Sequence, residues 1–172
     1  MKSCLAPASL TLALLTVVPF AIAQKVTIQS DDGIDFTKYK TFKLMEGQLN
    51  AKAPALNNDI IRRNIETAIR RRLGEKGLME VDAKPELSVR YTLGAPRRND
   101  KEFVGVGPYG RVRRINVPYT DGTLVIDLRD TNLKELVWQS VTEDKENDPS
   151  KIANHIEDMV KKAFEKYPPK KK

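Results

Sequence analysis

The sequence predicts an α+β fold, a single antiparallel sheet of about five strands with two helices packed on one face. Three observations lead there. Leu87, Val89, Tyr91 and Leu93 alternate with polar neighbours, the period of a half-buried strand. Two further alternating runs, 122–129 and 136–142, flank the turn-forming Asp130-Thr131-Asn132, as in an antiparallel hairpin with a longer turn. Segments 61–73 and 152–164 repeat apolar residues at intervals of three and four, the stripe of a helix with one buried side. Two layers cover all of these apolar faces with the fewest assumptions.

Val26 and Ile28 alternate with Lys25, Thr27 and Gln29, a short first strand that Asp31-Asp32-Gly33 ends as a turn. Tyr39 to Leu44 interleave as a second strand ending at Met45. Segment 46–56 carries Gly47, Asn50 and Pro54 and reads as a loop. Asn57 or Asn58 caps the first helix, with Asp59 in its first turn, where the positive end of the dipole favours an acid. Ile61, Ile65, Ala68, Ile69 and Leu73 form its stripe, and Glu66 lies four residues from both Arg62 and Arg70. Gly74 is the expected terminator. The Arg70-Arg71-Arg72 cluster then meets the negative helix end, with an anion site as the other reading.

Pro85 leads into the central strand. In the hairpin's second strand either Leu136, Trp138 and Ser140 or Val137, Gln139 and Val141 can face inward. Burying the large Trp138 ring outweighs the need to satisfy its one N–H, which favours Trp138 inside or at the sheet edge. The last helix has Asp148 as cap and Pro149 in its first turn, and Ile152, Ile156, Met159, Val160, Ala163 and Phe164 as its stripe. Pro168-Pro169 stops it, and 170–172 form a basic tail.

The first 23 residues read as a cleaved secretory signal: Lys2, an apolar run from Leu10 to Phe20, then Ala21-Ile22-Ala23. That run is shorter than the roughly 20 apolar residues a membrane-spanning helix needs. The expected product is a single domain, 24–169, that is periplasmic or secreted and not transmembrane. Without residues 1–23, which hold one lysine and no acid, the balance is 29 basic against 23 acidic residues. The only cysteine, Cys4, leaves with the signal, so disulfides and thiolate chemistry are excluded from the product. Because Cys4 precedes the apolar run, it also argues against a lipid anchor at the cleavage point.

Several motifs together resemble one bacterial family of exported proteins, the domain of unknown function 4136 family. They are Asp35-Phe36-Thr37-Lys38-Tyr39-Lys40-Thr41-Phe42, then Pro85-Glu86-Leu87-Ser88-Val89 with Tyr91. Tyr119 and Gly122-Thr123-Leu124-Val125-Ile126-Asp127-Leu128 with Asp130 follow, then Leu136-Val137-Trp138, and finally Phe164 and Pro168. The resemblance implies an exported, often lipid-anchored α+β domain with no assigned activity. It designates no catalytic residue. This chain departs from it by lacking the lipobox cysteine.

The candidate binding residues are Arg97, Arg98, Lys101, Arg111, Arg113 and Arg114, in a glycine-containing loop, 97–114, that also holds Phe103 and Tyr109. Arginine forks and aromatic faces suit phosphate or glycan. The expected partner is an anionic envelope component (a lipid headgroup or a glycan) or an envelope protein, and not nucleic acid. Gly105-Val106-Gly107-Pro108-Tyr109-Gly110 has the letters of a dinucleotide fingerprint but lacks the strand-to-helix setting, because Val112 to Val117 look extended. No cofactor or metal set is legible. His155, the sole histidine, reads as a helix-border residue, and Asp31, Asp32 and Asp35 as turn formers. The function read here is non-enzymatic binding or assembly. The alternative is a carbohydrate- or lipid-acting enzyme using carboxylates such as Asp127 and Asp130.

Overall fold

A computed structural model describes residues 24–106 and 111–169; for residues 100–106, 111–114 and 116 it fixes the backbone alone. The signal-peptide and basic-tail expectations, and Gly107 to Gly110, lie outside the described residues.

Among the described residues eight strands form one mixed sheet, more strands than the sequence shows and not all antiparallel. They are β1 (Lys25–Ser30), β2 (Thr41–Leu44), β3 (Gln48–Ala51), β4 (Met79–Glu80), β5 (Leu87–Ala95), β6 (Arg97–Val106), β7 (Arg111–Asp130) and β8 (Leu136–Glu146). The order across the sheet is β1-β8-β7-β5-β2-β4, with β3 also on β5 and β6 also on β7. The pairs β1/β8, β7/β8, β5/β7 and β6/β7 are antiparallel, whereas β2/β4, β2/β5 and β3/β5 are parallel. The parallel part has a topological cause. Helix α1 (Asp59–Glu75) lies between β3 and β5 in the chain, and a helical crossover returns the next strand in the same direction. The expected loop 46–56 accordingly contains β3 and a 3-10 turn at Pro54–Leu56, and Phe36–Lys38 is a second such turn.

Asn58 caps α1, its side chain accepting from the Ile61 N–H at 3.1 Å. The helix runs past Gly74 and stops at Gly77, whose φ of +83° is left-handed. The Gly77 N–H donates to the Gly74 carbonyl at 2.9 Å and the Leu78 N–H to the Leu73 carbonyl at 3.0 Å, which closes a Schellman motif. Helix α2 (Pro149–Glu165) starts as the sequence predicts, with Asp148 accepting from the Ser150 N–H at 2.9 Å.

Both helices lie on one face. Alternate residues Leu87, Val89, Tyr91 and Leu93 of β5 and Leu124, Ile126 and Leu128 of β7 are buried under them. The Tyr91 hydroxyl donates to Glu66 of α1 at 3.1 Å, which fixes that helix over β5. Trp138 of β8 is fully buried and stacks on Phe164 of α2 at 5.4 Å, with Tyr167 edge-on at 5.5 Å. The inward choice on β8 is therefore the Trp138 side from Trp138 through Ser140, whereas at the strand's start Leu136 is exposed and Val137 is buried, beside a register shift at Leu128/Arg129. The Trp138 indole N–H has no hydrogen-bond partner among the described residues, so packing outweighs that cost.

Three motif residues, Tyr39, Glu86 and Asp130, tie strand ends and turns of the sheet together. Glu86 accepts from the Lys40 and Thr41 N–H groups at 2.6 and 2.9 Å, so the start of β5 holds the start of β2. These backbone donors hold the Glu86 carboxyl below its usual pKa. Asp130 takes hydrogen bonds from the Tyr39 hydroxyl at 2.7 Å and from the N–H groups of Asn132 and Leu133 at 2.8 and 3.0 Å. Burial pushes the Asp130 pKa up, but these donors and Lys38 more than offset it, so the net shift is downward.

Candidate functional site

The segment expected to be a basic loop is built from strands. Pairing of β5 and of β6 with β7 follows one continuous register, from Leu87 opposite Asp130 to Val106 opposite Arg111, with Pro96 at the join. Residues 87–106 and 111–130 are therefore the two sides of one long antiparallel ribbon. Its base is embedded in the sheet, since β8 pairs with β7 only as far as Thr120 and β5 only as far as Thr123. Beyond that, among the described residues, β6 and residues 111–119 pair with each other alone. Ten residues per strand extend this arm by about 30 Å.

The register sorts the cationic positions. Residues directly opposite in an antiparallel pair share a face, and Arg97 stands opposite Thr120, Lys101 opposite Asn116 and Arg114 opposite Phe103. Positions 97, 101 and 114 therefore share the face that continues the helix-covered side of the sheet, with no acidic position among them. Positions 98, 111 and 113 share the other face with Asp100 and Glu102. At the base of that second face, Arg98 pairs with Asp121 at 3.2 Å, and the Lys145 ammonium sits 5.1 Å from the Tyr119 ring centroid.

A polar cluster lies at the root of the arm, under the helix layer. Gly122 stands opposite Asp144 and Thr120 opposite Glu146, and both carboxylates belong to the inward-facing row that begins with Trp138. They are only 2% and 7% exposed. Asp148 caps α2 and turns the chain back, which places His155 over them. His155 Nδ1 is 2.8 Å from Asp144 Oδ2 and 3.9 Å from Glu146 Oε1. Lys151 approaches the other Glu146 oxygen at 3.5 Å, and the Gln24 amide nitrogen donates to Asp144 Oδ2 at 3.2 Å. Sequence reading missed this set because strand and helix meet only in the fold. The available signal was Asp-x-Glu continuing the buried alternation of β8.

The other candidates do not converge. Asp127 accepts from Gln139 at 2.8 Å on the open side of the sheet, while Asp130 is inward and committed to Tyr39. These two carboxylates share no cleft. Asp31 accepts from the Gly33 N–H at 2.8 Å and Asp35 from the Thr37 N–H at 3.2 Å, each within its own turn. Arg70 pairs with Glu66 and Glu80, Arg71 with Glu75 and Glu157, and Arg72 with Glu75, so the arginine cluster joins α1 to its surroundings. No described helix is long and apolar enough to cross a membrane.

Fold and motifs together define an α+β chain with a protruding antiparallel ribbon and no assigned chemistry. Residues 26–169 match the family described as Domain of unknown function (DUF4136), and the chain belongs to it. No curated protein matches the sequence. Among solved structures, it is similar to a PDZ domain protein from Parabacteroides distasonis, with a TM-score of 0.57 and 18% identity. That match covers 87% of this chain but 36% of the other, so this chain spans about a third of that protein's length. It is also similar to a putative neuraminyllactose-binding hemagglutinin homolog from Helicobacter pylori (TM-score 0.52, 12% identity, 78% of this chain and 88% of that one). A third similar structure is the PelC dodecamer from Paraburkholderia phytofirmans (TM-score 0.51, 10% identity, 83% and 95%). At these identities the likeness is one of fold.

Proposed function

We propose that this protein is exported to the bacterial envelope and binds an anionic component there, a lipid headgroup or glycan, or an envelope protein, through the basic arm 97–120. The observation that carries the reading is the arm itself. A strand pair that leaves its sheet gains little from packing on the core, so a span of ten residues per strand needs a purpose beyond stability. Its cationic residues, Arg97, Arg98, Lys101, Arg111, Arg113 and Arg114, suit anionic oxygen groups through forked and charge-assisted hydrogen bonds. Export rests on the amino-terminal pattern of residues 1–23, and the position of Cys4 supports a form without a lipid anchor.

Binding is favoured over the enzymatic alternative by the positions of its two named carboxylates, since Asp127 and Asp130 lie on opposite sides of β7 and do not converge. Cosedimentation of the purified protein with envelope fractions tests the proposal. Changing the six basic residues to glutamine should remove most of the bound fraction. Undiminished binding by that variant would contradict it.

A further inference from the structure

We infer that Asp144, Glu146 and His155 form a binding site for a divalent transition-metal ion of the zinc class. This inference is independent of what the arm binds.

The three side chains offer one ligand atom each, and these atoms all lie within 4.8 Å of one another. Tetrahedral zinc with bonds of about 2.0–2.2 Å keeps its ligand atoms roughly 3.3–3.5 Å apart. The two distances from Nδ1, 2.8 and 3.9 Å, bracket that separation. Adjusting the side chains from within 4.8 Å of one another to that separation would close the set around an ion.

The charges favour an ion as well. Asp144 and Glu146 are both buried, and two close carboxylates taken out of water need positive charge between them. His155 meets them through a single ring nitrogen, 2.8 Å from one carboxylate and 3.9 Å from the other. One N–H donates well along one direction, so it serves the nearer carboxylate at the expense of the other. A cation at the point where the three atoms converge serves all of them. Lys151 remains on the outer oxygen of Glu146, where it holds that carboxylate in place.

The donor set selects the metal. An imidazole nitrogen with carboxylate oxygens suits zinc and its first-row neighbours, whereas calcium takes six to eight oxygens, which this cluster does not offer. His155 is about two-fifths exposed, so one side of the site opens to water, the arrangement of an ion with a free coordination position. Gln24 stands beside the trio, and its side-chain oxygen is buried without a hydrogen-bond partner among the described residues. Rotating that amide by half a turn would offer the oxygen to the ion.

Because His155 is the only histidine, its imidazole protons give an unambiguous signal in tag-free protein. The protein is stripped with chelator and titrated with zinc and, separately, calcium, followed by proton NMR and calorimetry. One equivalent of zinc should move the imidazole resonances, and calcium should leave them in place. His155→Ala and Asp144→Asn should each weaken zinc binding at least about tenfold. Should Asp144→Asn fail to fold, His155→Ala changes a partly exposed helix residue and carries the comparison alone. Imidazole resonances that do not move with equimolar zinc would overturn the inference. So would equal zinc affinity in the wild type and the His155→Ala variant.

Discussion

The Tyr39 hydroxyl donates a 2.7 Å hydrogen bond to Asp130, a residue 91 positions away at the far end of β7. It joins the turn before β2 to the β7–β8 turn and explains why both residues stand in motif segments. Burial and the Asp130 charge together push the Tyr39 pKa well above the ordinary tyrosine value, so the hydroxyl stays a donor across the working range.

Tyr39→Phe should therefore destabilise the fold by about 1–3 kcal/mol, since it strips a buried carboxylate of one donor. The pH dependence follows from the sign of the Asp130 shift. A folded-state pKa below the unfolded one contributes stability that is fully present above about pH 3.9 and is lost as pH falls through the folded value. The stability gap between wild type and Tyr39→Phe should be constant near neutral pH and narrow below about pH 4. Urea unfolding at a series of pH values measures it.

Gly122 is required by α2. A Cβ at this position would lie 2.7 Å from Ile152 Cγ2 and 3.0 Å from its Cδ1. Gly122→Ala should cost about 1–3 kcal/mol by overpacking. In a double-mutant cycle, Ile152→Ala should cost less in the Gly122→Ala background than in the wild type, with a coupling of about 0.5–3 kcal/mol. Additive costs would mean that the contact is not tight.

The two glycines at the end of α1 should respond in opposite directions. Gly77 sits at positive φ, so Gly77→Ala should lower stability by about 1 kcal/mol. Gly74 lies in the helix with open space where a Cβ would go, so Gly74→Ala should raise stability by about 0.5–1 kcal/mol. Thermal melts of the two variants distinguish them directly.

Trp138 is the single tryptophan and is fully buried against Phe164 and Tyr167. Native fluorescence should be blue-shifted and should move to the red in one cooperative step with loss of helix. Trp138→Ala should cost about 3–5 kcal/mol.

The two helices, the central strand and the β7–β8 hairpin were legible in the sequence because each buries one face and therefore carries a period. Leu87 to Leu93 and the stripes of α1 and α2 all lie as their spacing predicts. Strands β3 and β4 were not legible. They are four and two residues long and pair in parallel with partners distant in the chain, so nothing local marks them. The arm carries no periodic strand signal because its strands have no third neighbour, and a ribbon open to solvent needs no apolar alternation. The helix passes Gly74, the expected terminator, and stops at Gly77, a choice that turns on φ, which composition does not reveal. The Asp144–Glu146–His155 cluster needs the packing of α2 on β8, which no spacing in the sequence encodes.

The central claim is that the arm binds an anionic surface through its cationic residues. Titrating the protein with vesicles containing anionic lipid or envelope glycolipid, across a range of salt concentrations, tests it most directly. Affinity should fall steeply as salt screens the arm, and the variant with all six basic residues changed to glutamine should bind weakly at every salt concentration. Wild type and variant binding with the same affinity and the same salt dependence would contradict the account.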